Sequence, residues 1–227
     1  MKHELKDLGG IRMLKAIILN MNSVLTQQDF NLLLSFVSKK KQEDIKKKNF
    51  QDACNCLLGE IMVRIEVCYL ARVNNKNLEI KTNIYGKPFI LNVPNIKFNI
   101  SHAGHYVACA ISDKKVGIDI ELIKMSDIAI ANRFFTENEK KYVISEKNPS
   151  RFYEVWTKKE SRIKWEGKGL YQSLSSFCVF NPEKRLFYHK AFENKDAICY
   201  ICSTEREIQS IQMANTSTII KNALEYL

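Results

Sequence analysis

Two short segments carry the groups best suited to phosphate and metal chemistry: Val-Gly-Ile-Asp-Ile-Glu at 116–121, and Trp-Thr-Lys-Lys-Glu-Ser-Arg-Ile-Lys-Trp-Glu-Gly-Lys-Gly-Leu at 156–170. In the first, Val116, Ile118 and Ile120 alternate with Gly117, Asp119 and Glu121, the period-two pattern of a half-buried strand. Asp119 and Glu121 therefore share a face, ~7 Å apart along the strand. Two acids on one face repel unless water, a cation or a basic partner lies between them. Taken alone, so short a motif reads as a solvated strand face.

The second segment has helix spacing. Between Pro149 and Gly167, Phe152, Val155, Trp156 and Ile163 form an apolar stripe, and Gly167 and Gly169 supply the stop. Lys159 and Glu160 occupy positions where a core-facing helix carries apolar residues, and Trp156, Glu160 and Lys164 share a face at i, i+4, i+8. A plain structural reading is an intrahelical Glu160–Lys164 pair contributing about 0.2–0.5 kcal/mol. The chemical reading joins Glu160 to Asp119 and Glu121 as hard oxygen ligands for Mg²⁺, with Lys159 and Lys164 neutralising phosphates.

Two further groups fit that account. A short strand, Lys-Phe-Asn-Ile-Ser at 97–101, runs into His102-Ala103-Gly104, so that Ser101 and His102 on a turn offer a hydroxyl and an imidazole to an anion. A Ser/His/Asp hydrolase is discounted, because adjacent strand residues point to opposite faces and cannot make the nucleophile–base contact. Upstream, Tyr85-Gly86-Lys87-Pro88 is a turn with a lysine at its tip.

In this order, Gly86-Lys87-Pro88, Phe98-Asn99-Ile100-Ser101-His102-Ala103-Gly104, Gly117-Ile118-Asp119-Ile120-Glu121 and Trp156-x-x-Lys159-Glu160-Ser161-x-x-Lys164-x-x-Gly167-Lys168-Gly169-Leu170 resemble the motif set of the 4′-phosphopantetheinyl transferases of the long, surfactin-synthetase-activating type. The resemblance extends more weakly from about residue 36 to residue 177. It implies transfer of the phosphopantetheine arm of coenzyme A onto a serine of an acyl or peptidyl carrier protein, with Mg²⁺ (or Mn²⁺) and release of adenosine 3′,5′-bisphosphate. It also implies an α+β fold of two similar halves with the coenzyme in the cleft between them. Carried over by position, Asp119, Glu121 and Glu160 match the metal-binding acids, and Lys159 and Lys164 the phosphate- and pantetheine-side lysines. Ser101 and His102 match contacts to the nucleotide end, and Lys87 the basic residue of the glycine-lysine-proline motif.

Such a reaction requires no nucleophile from this chain, because the carrier supplies the hydroxyl. Asp119, Glu160 and Lys164 are the catalytic candidates; Glu160 is the candidate general base, with water or another carboxylate as the alternatives. One departure stands out: related enzymes carry a basic residue and a threonine before the Leu-Leu-Gly stretch, whereas Asn55 and Cys56 precede Leu57-Leu58-Gly59 here. The run Lys46-Lys47-Lys48 is a candidate for compensating at the 3′-phosphate.

Elsewhere in the chain, 26–37 and 51–69 read as amphipathic helices with the basic stretch 39–48 between them. Thr136-Glu137-Asn138-Glu139 is a capping box opening another helix. Strands are expected at 176–180, 186–192 and 197–203. A helix-and-strand set thus falls on each side of Ser112-Asp113-Lys114-Lys115, which places one α+β half at 1–113 and a second at 114–227. Phe36-Val37-Ser38 and Phe134-Phe135-Thr136 faintly echo one another.

Composition is compatible with an enzyme. The 227 residues are 45% hydrophobic, with no apolar run of membrane-spanning length and no signal-peptide core at the N-terminus. Seven cysteines without a regular framework point to reduced thiols and the cytosol. The net charge of +10 raises a nucleic-acid-binding alternative, but the lysines are scattered and not interleaved with aromatics. A non-catalytic carrier-binding module would not need the three acids. No membrane or nucleic-acid partner is expected, and the chain reads as a monomer.

Overall fold

The computed structural model describes residues 13–21, 25–169 and 173–227; Leu170 of the last motif and the N-terminal residues lie outside them. The first strand, β1 (Leu14–Asn20), is followed by three helices, α1 (Gln27–Leu34), α2 (Lys39–Lys46) and α3 (Phe50–Ala71). Each helix begins where a short polar side chain accepts a backbone N–H of the first turn: Thr26 from Asp29, Ser38 from Lys41, and Asn49 from Asp52. A small hairpin, β2 (Ile80–Thr82) and β3 (Pro88–Ile90), then leads into β4 (Lys97–Ala103) and β5 (Tyr106–Ser112).

Apart from the hairpin, the second half repeats this order. It contains β6 (Val116–Leu122), α4 (Ile128–Phe134), α5 (Glu137–Ile144), α6 (Pro149–Glu166), β7 (Phe187–Glu193) and β8 (Ala197–Ser203). The sheets correspond as well: β4-β5-β1 in the first half, β7-β8-β6 in the second, with these neighbours antiparallel. Ser38 and Thr136, the ends of the two faintly similar tripeptides, stand immediately before α2 and α5 in the two halves.

The last two elements break the symmetry. Strand β9 (Ser210–Ala214) pairs in parallel with β1, and α7 (Thr216–Tyr226) shares a core with α1 and α3. The tail that the sequence reading assigned to the second half therefore completes the first sheet. The segment 176–180, expected as a strand, contains instead the end of a 3-10 turn (Leu174–Ser176) followed by irregular chain.

The two sheets pack face to face. Leu14, Ala16, Ile18, Tyr106, Ala108 and Ala110 of one meet Val116, Ile118, Ile120, Cys199 and Ile201 of the other. On its outer face the first sheet packs against α1–α3 and α7, and the second against α6. Period-two alternation along β6 thus sends its isoleucines into the sandwich and its acids toward α6. That helix lies unusually close: a Cβ on Gly117 would stand 2.0 Å from the Ser161 carbonyl oxygen and 2.3 Å from the Trp165 nitrogen. Only glycine admits the helix backbone at this point.

Candidate active site

The site forms where the edge of the first sheet meets β6. Asn99 Oδ1 accepts the Ile118 N–H at 2.8 Å, fixing β4 beside β6. Two residues on, and so on the same strand face, Ser101 Oγ donates to Asp119 Oδ1 at 2.9 Å. Lys164 closes the group from α6, its Nζ 2.7 Å from Asp119 Oδ1 and 2.8 Å from Ser101 Oγ. Three elements from two halves thereby converge on one buried carboxylate.

The helix face read from spacing is the face that looks onto the acids. Trp156 donates its indole N–H to Glu121 Oε1 at 3.3 Å and stacks on Phe152, with ring centroids 6.3 Å apart and planes 7° from parallel. Burial raises the Asp119 pKa despite Lys164 and Ser101. Burial, then Asp119, raises Glu160 while Lys164 opposes. Glu121 is pushed up to about 7 by burial and by Asp119, with a lesser contribution from Glu160. For these acids burial and mutual repulsion thus outweigh the relief that Lys164 supplies.

That imbalance bears on whether a cation fits. Asp119 Oδ2 is buried without a hydrogen-bond partner, and the donors are hard carboxylate oxygens. Among the described residues no three His, Cys, Asp or Glu side chains are gathered closely enough to hold an ion unaided. Mg²⁺ does not ask for such a cage, because it takes one or two carboxylates and completes its shell with water and phosphate oxygens. The residues fit on that basis.

Three sequence expectations change on placement. Lys159 does not face the acids: it is fully buried on another side of α6, ion-paired to Glu139 at 2.9 Å and donating to the carbonyls of Leu174 at 2.7 Å and Phe177 at 2.8 Å. Its three N–H bonds are all used, so no donor remains for a phosphate. Lys87 is likewise engaged by backbone, donating to the carbonyls of Val116, Lys164 and Trp165, and burial, with Lys115 nearby, lowers its pKa to about 8. Ser101 belongs to the acid cluster rather than standing open on a turn, since β4 continues to Ala103.

His102, on the opposite strand face, is exposed. Partial shielding of its ring from water by the surrounding chain, with the positive charge of Lys164 and Lys48, lowers its pKa, while Asp52 works the other way. The start of α3 and the end of the basic stretch thus lie within electrostatic reach of the imidazole. Asn55 is buried and donates to the Gly104 carbonyl at 3.0 Å, so it braces the β4–β5 turn beside His102 instead of facing a ligand. Asn99 is a working residue to which the motif reading assigned no role. For Asn99 the signal was present in its two-residue spacing from Ser101.

Comparison with known proteins accords with this arrangement. A model of the 4′-phosphopantetheinyl transferase superfamily matches residues 115–216, and one of the 4′-phosphopantetheinyl transferase N-terminal region matches 25–114. Over 192 residues the chain is 38% identical to the 4′-phosphopantetheinyl transferase gsp of Aneurinibacillus migulanus, covering 83% of this chain and 80% of that one. Over 163 residues it is 39% identical to the 4′-phosphopantetheinyl transferase ffp of Bacillus subtilis, and over 163 residues 37% identical to Sfp of Bacillus subtilis strain 168. Each of these two alignments covers 70% of this chain and 73% of the relative. The fold and the matches together define an α+β transferase. The chain belongs to the 4′-phosphopantetheinyl transferase family.

Proposed function

We propose that this enzyme transfers the 4′-phosphopantetheine arm of coenzyme A to a serine hydroxyl of an acyl or peptidyl carrier protein, releasing adenosine 3′,5′-bisphosphate. The reading rests chiefly on the convergence of Lys164, Ser101 and Asp119, with Glu121 and Glu160 beside them, in a chain of this family.

In the reaction the carrier serine oxygen bonds to the β-phosphorus of the coenzyme pyrophosphate. The bond from that phosphorus to the bridging oxygen breaks, and the bisphosphate leaves with the electron pair. Glu160 receives the hydroxyl proton, directly or through a water molecule. Lys164 supplies positive charge against the pyrophosphate, and Ser101 holds Asp119 Oδ1 so that the unpartnered Oδ2 is presented. Trp156 orients Glu121. Asp119, with Glu121 or Glu160 beside it, would hold Mg²⁺ (or Mn²⁺), which when bound neutralises phosphate oxygens as charge moves onto the leaving group. His102, with Lys48 nearby, is assigned to the nucleotide end, and coenzyme A to the cleft between the halves.

A cytosolic, monomeric protein is part of the same reading. Seven cysteines without a disulfide support the cytosolic part of it. The decisive experiment is intact mass of an apo carrier after incubation with the enzyme, coenzyme A and Mg²⁺. A gain equal to the phosphopantetheine arm is expected, and excess chelator, Asp119→Asn or Glu160→Gln should abolish it. No gain across several carriers, or full turnover in chelator, refutes the assignment.

A further inference from the structure

We propose that Lys87 and Asn83 are positioning residues for the transfer reaction: the β2–β3 turn clamps the last turn of α6 and so sets where Lys164 stands against Asp119. This rests on the function proposed above only for its kinetic part. The last carbonyls of any helix lack intrahelical donors and carry the negative end of its dipole. Here the Lys87 ammonium supplies the missing donors, reaching the carbonyl of Lys164 and, at 3.5 Å, that of Trp165. The same nitrogen donates to the Val116 carbonyl at 3.0 Å. One cation therefore ties the strand that carries Asp119 to the helix that carries Lys164.

Asn83 completes the clamp. Its Nδ2 donates to the Gly167 carbonyl at 3.0 Å, while its Oδ1 accepts the Tyr85 and Lys87 N–H groups at 2.9 Å each. The turn is thereby shaped by the residue that grips the helix. Gly167 sits in the left-handed region at φ 72°, and a Cβ there would lie 2.8 Å from Lys87 Cδ, so the lysine stem occupies the space that the glycine leaves. A side chain committed to carbonyls from two elements is placed to hold geometry, not to bind a phosphate.

The test uses the full-length enzyme with Lys87→Met, which keeps the stem and removes the donors, and Asn83→Ala, which removes the amide that shapes the turn and grips Gly167 but leaves the Lys87 ammonium in place. Two readouts are followed: hydrogen exchange of the amides of Trp165, Glu166 and Gly167, and steady-state kinetics with coenzyme A and with 3′-dephospho-coenzyme A. Faster exchange confined to this turn is expected in both variants. With it should come a fall in kcat of about tenfold or more for Lys87→Met, smaller for Asn83→Ala, with KM for coenzyme A and the preference over the dephospho form within about twofold of wild type. A rise in KM with loss of that preference would make Lys87 a phosphate ligand and overturn the proposal, as would unchanged exchange. If Lys87→Met does not fold, exchange in Asn83→Ala decides. If no carrier is modified even by the native enzyme, the exchange result still stands on its own while the functional reading falls.

Discussion

Lys159 offers the sharpest test of the difference between the motif and its placement. Its ammonium and the Glu139 carboxylate are both fully buried, 2.9 Å apart. Glu139 in turn accepts the N–H groups of Thr136 at 2.7 Å and Val179 at 2.8 Å. Lys159→Met keeps the aliphatic stem but strands a buried carboxylate and removes the donor from two carbonyls, those of Leu174 and Phe177. Breaking a buried pair by removing one partner costs about 3–5 kcal/mol, a large share of a typical total of about 5–15 kcal/mol. For a chain of this size that is a fall in melting temperature of about 6–20 °C. The assay is urea unfolding, read as a lower midpoint at unchanged slope, with KM for coenzyme A measured on the folded variant. Stability should fall by the amount given and KM should hold. A loss under about 1 kcal/mol together with a KM raised more than about tenfold would mean that the ammonium serves a ligand, and the placement argument would be refuted.

Other outcomes follow from the same geometry. Gly117→Ala puts a methyl group against the backbone of Ser161 and Trp165, which cannot yield as a side chain would; it should destabilise by about 3 kcal/mol and cost activity by moving Lys164 off Asp119, both measurable by unfolding and transfer rate. Glu121 has its folded pKa raised from 4.5 to about 7, so the folded state binds the extra proton in that interval and the metal-free protein should lose stability as pH rises through it; Glu121→Gln should flatten that part of the profile, and parallel profiles would count against the shift. If the net charge of +10 steers an acidic carrier, raising salt to physiological strength, where the screening length is about 8 Å, should weaken carrier affinity more than coenzyme affinity.

Much of the site was legible because its elements obey strong local rules. The alternation at 116–121 fixed which side of β6 carries the acids, and the helical spacing from Pro149 to Gly167 put Trp156, Glu160 and Lys164 on the face that meets them. Lys159 could not be read the same way. A lysine on an apolar face has two explanations, ligand or buried ion pair, and the partner that decides, Glu139, lies a helix away in the sequence. The chain at 176–180 reads as a strand in sequence and is irregular in the structure for the same reason, since the Val179 N–H is taken by Glu139 and the Phe177 carbonyl by Lys159 rather than by a neighbouring strand. Strand β9 alternates in sequence, Ile211 and Met213 against Ser210 and Gln212, but the alternation marks no buried face, since of its five residues only Ala214 is buried. The helix after it did have a signal, Ile219 and Ala223 at i, i+4.

The repeated order of elements has a consequence at the level of single positions. Leu14 pairs with Ser112 in the first sheet as Val116 pairs with Ser203 in the second, so counting along the two strands sets Ile17 opposite Asp119 and Leu19 opposite Glu121. In the first half those places are ordinary core, closed by the same cluster that holds α3. In the second they are the acids beneath α6. The molecule is one plan executed twice, once as ballast and once as a working surface, and the two copies share the burden unequally. Substitution at Ile17 or Leu19 should therefore register in melting temperature, and at Asp119 or Glu121 in turnover, although a superposition of the two halves would call them the same residues.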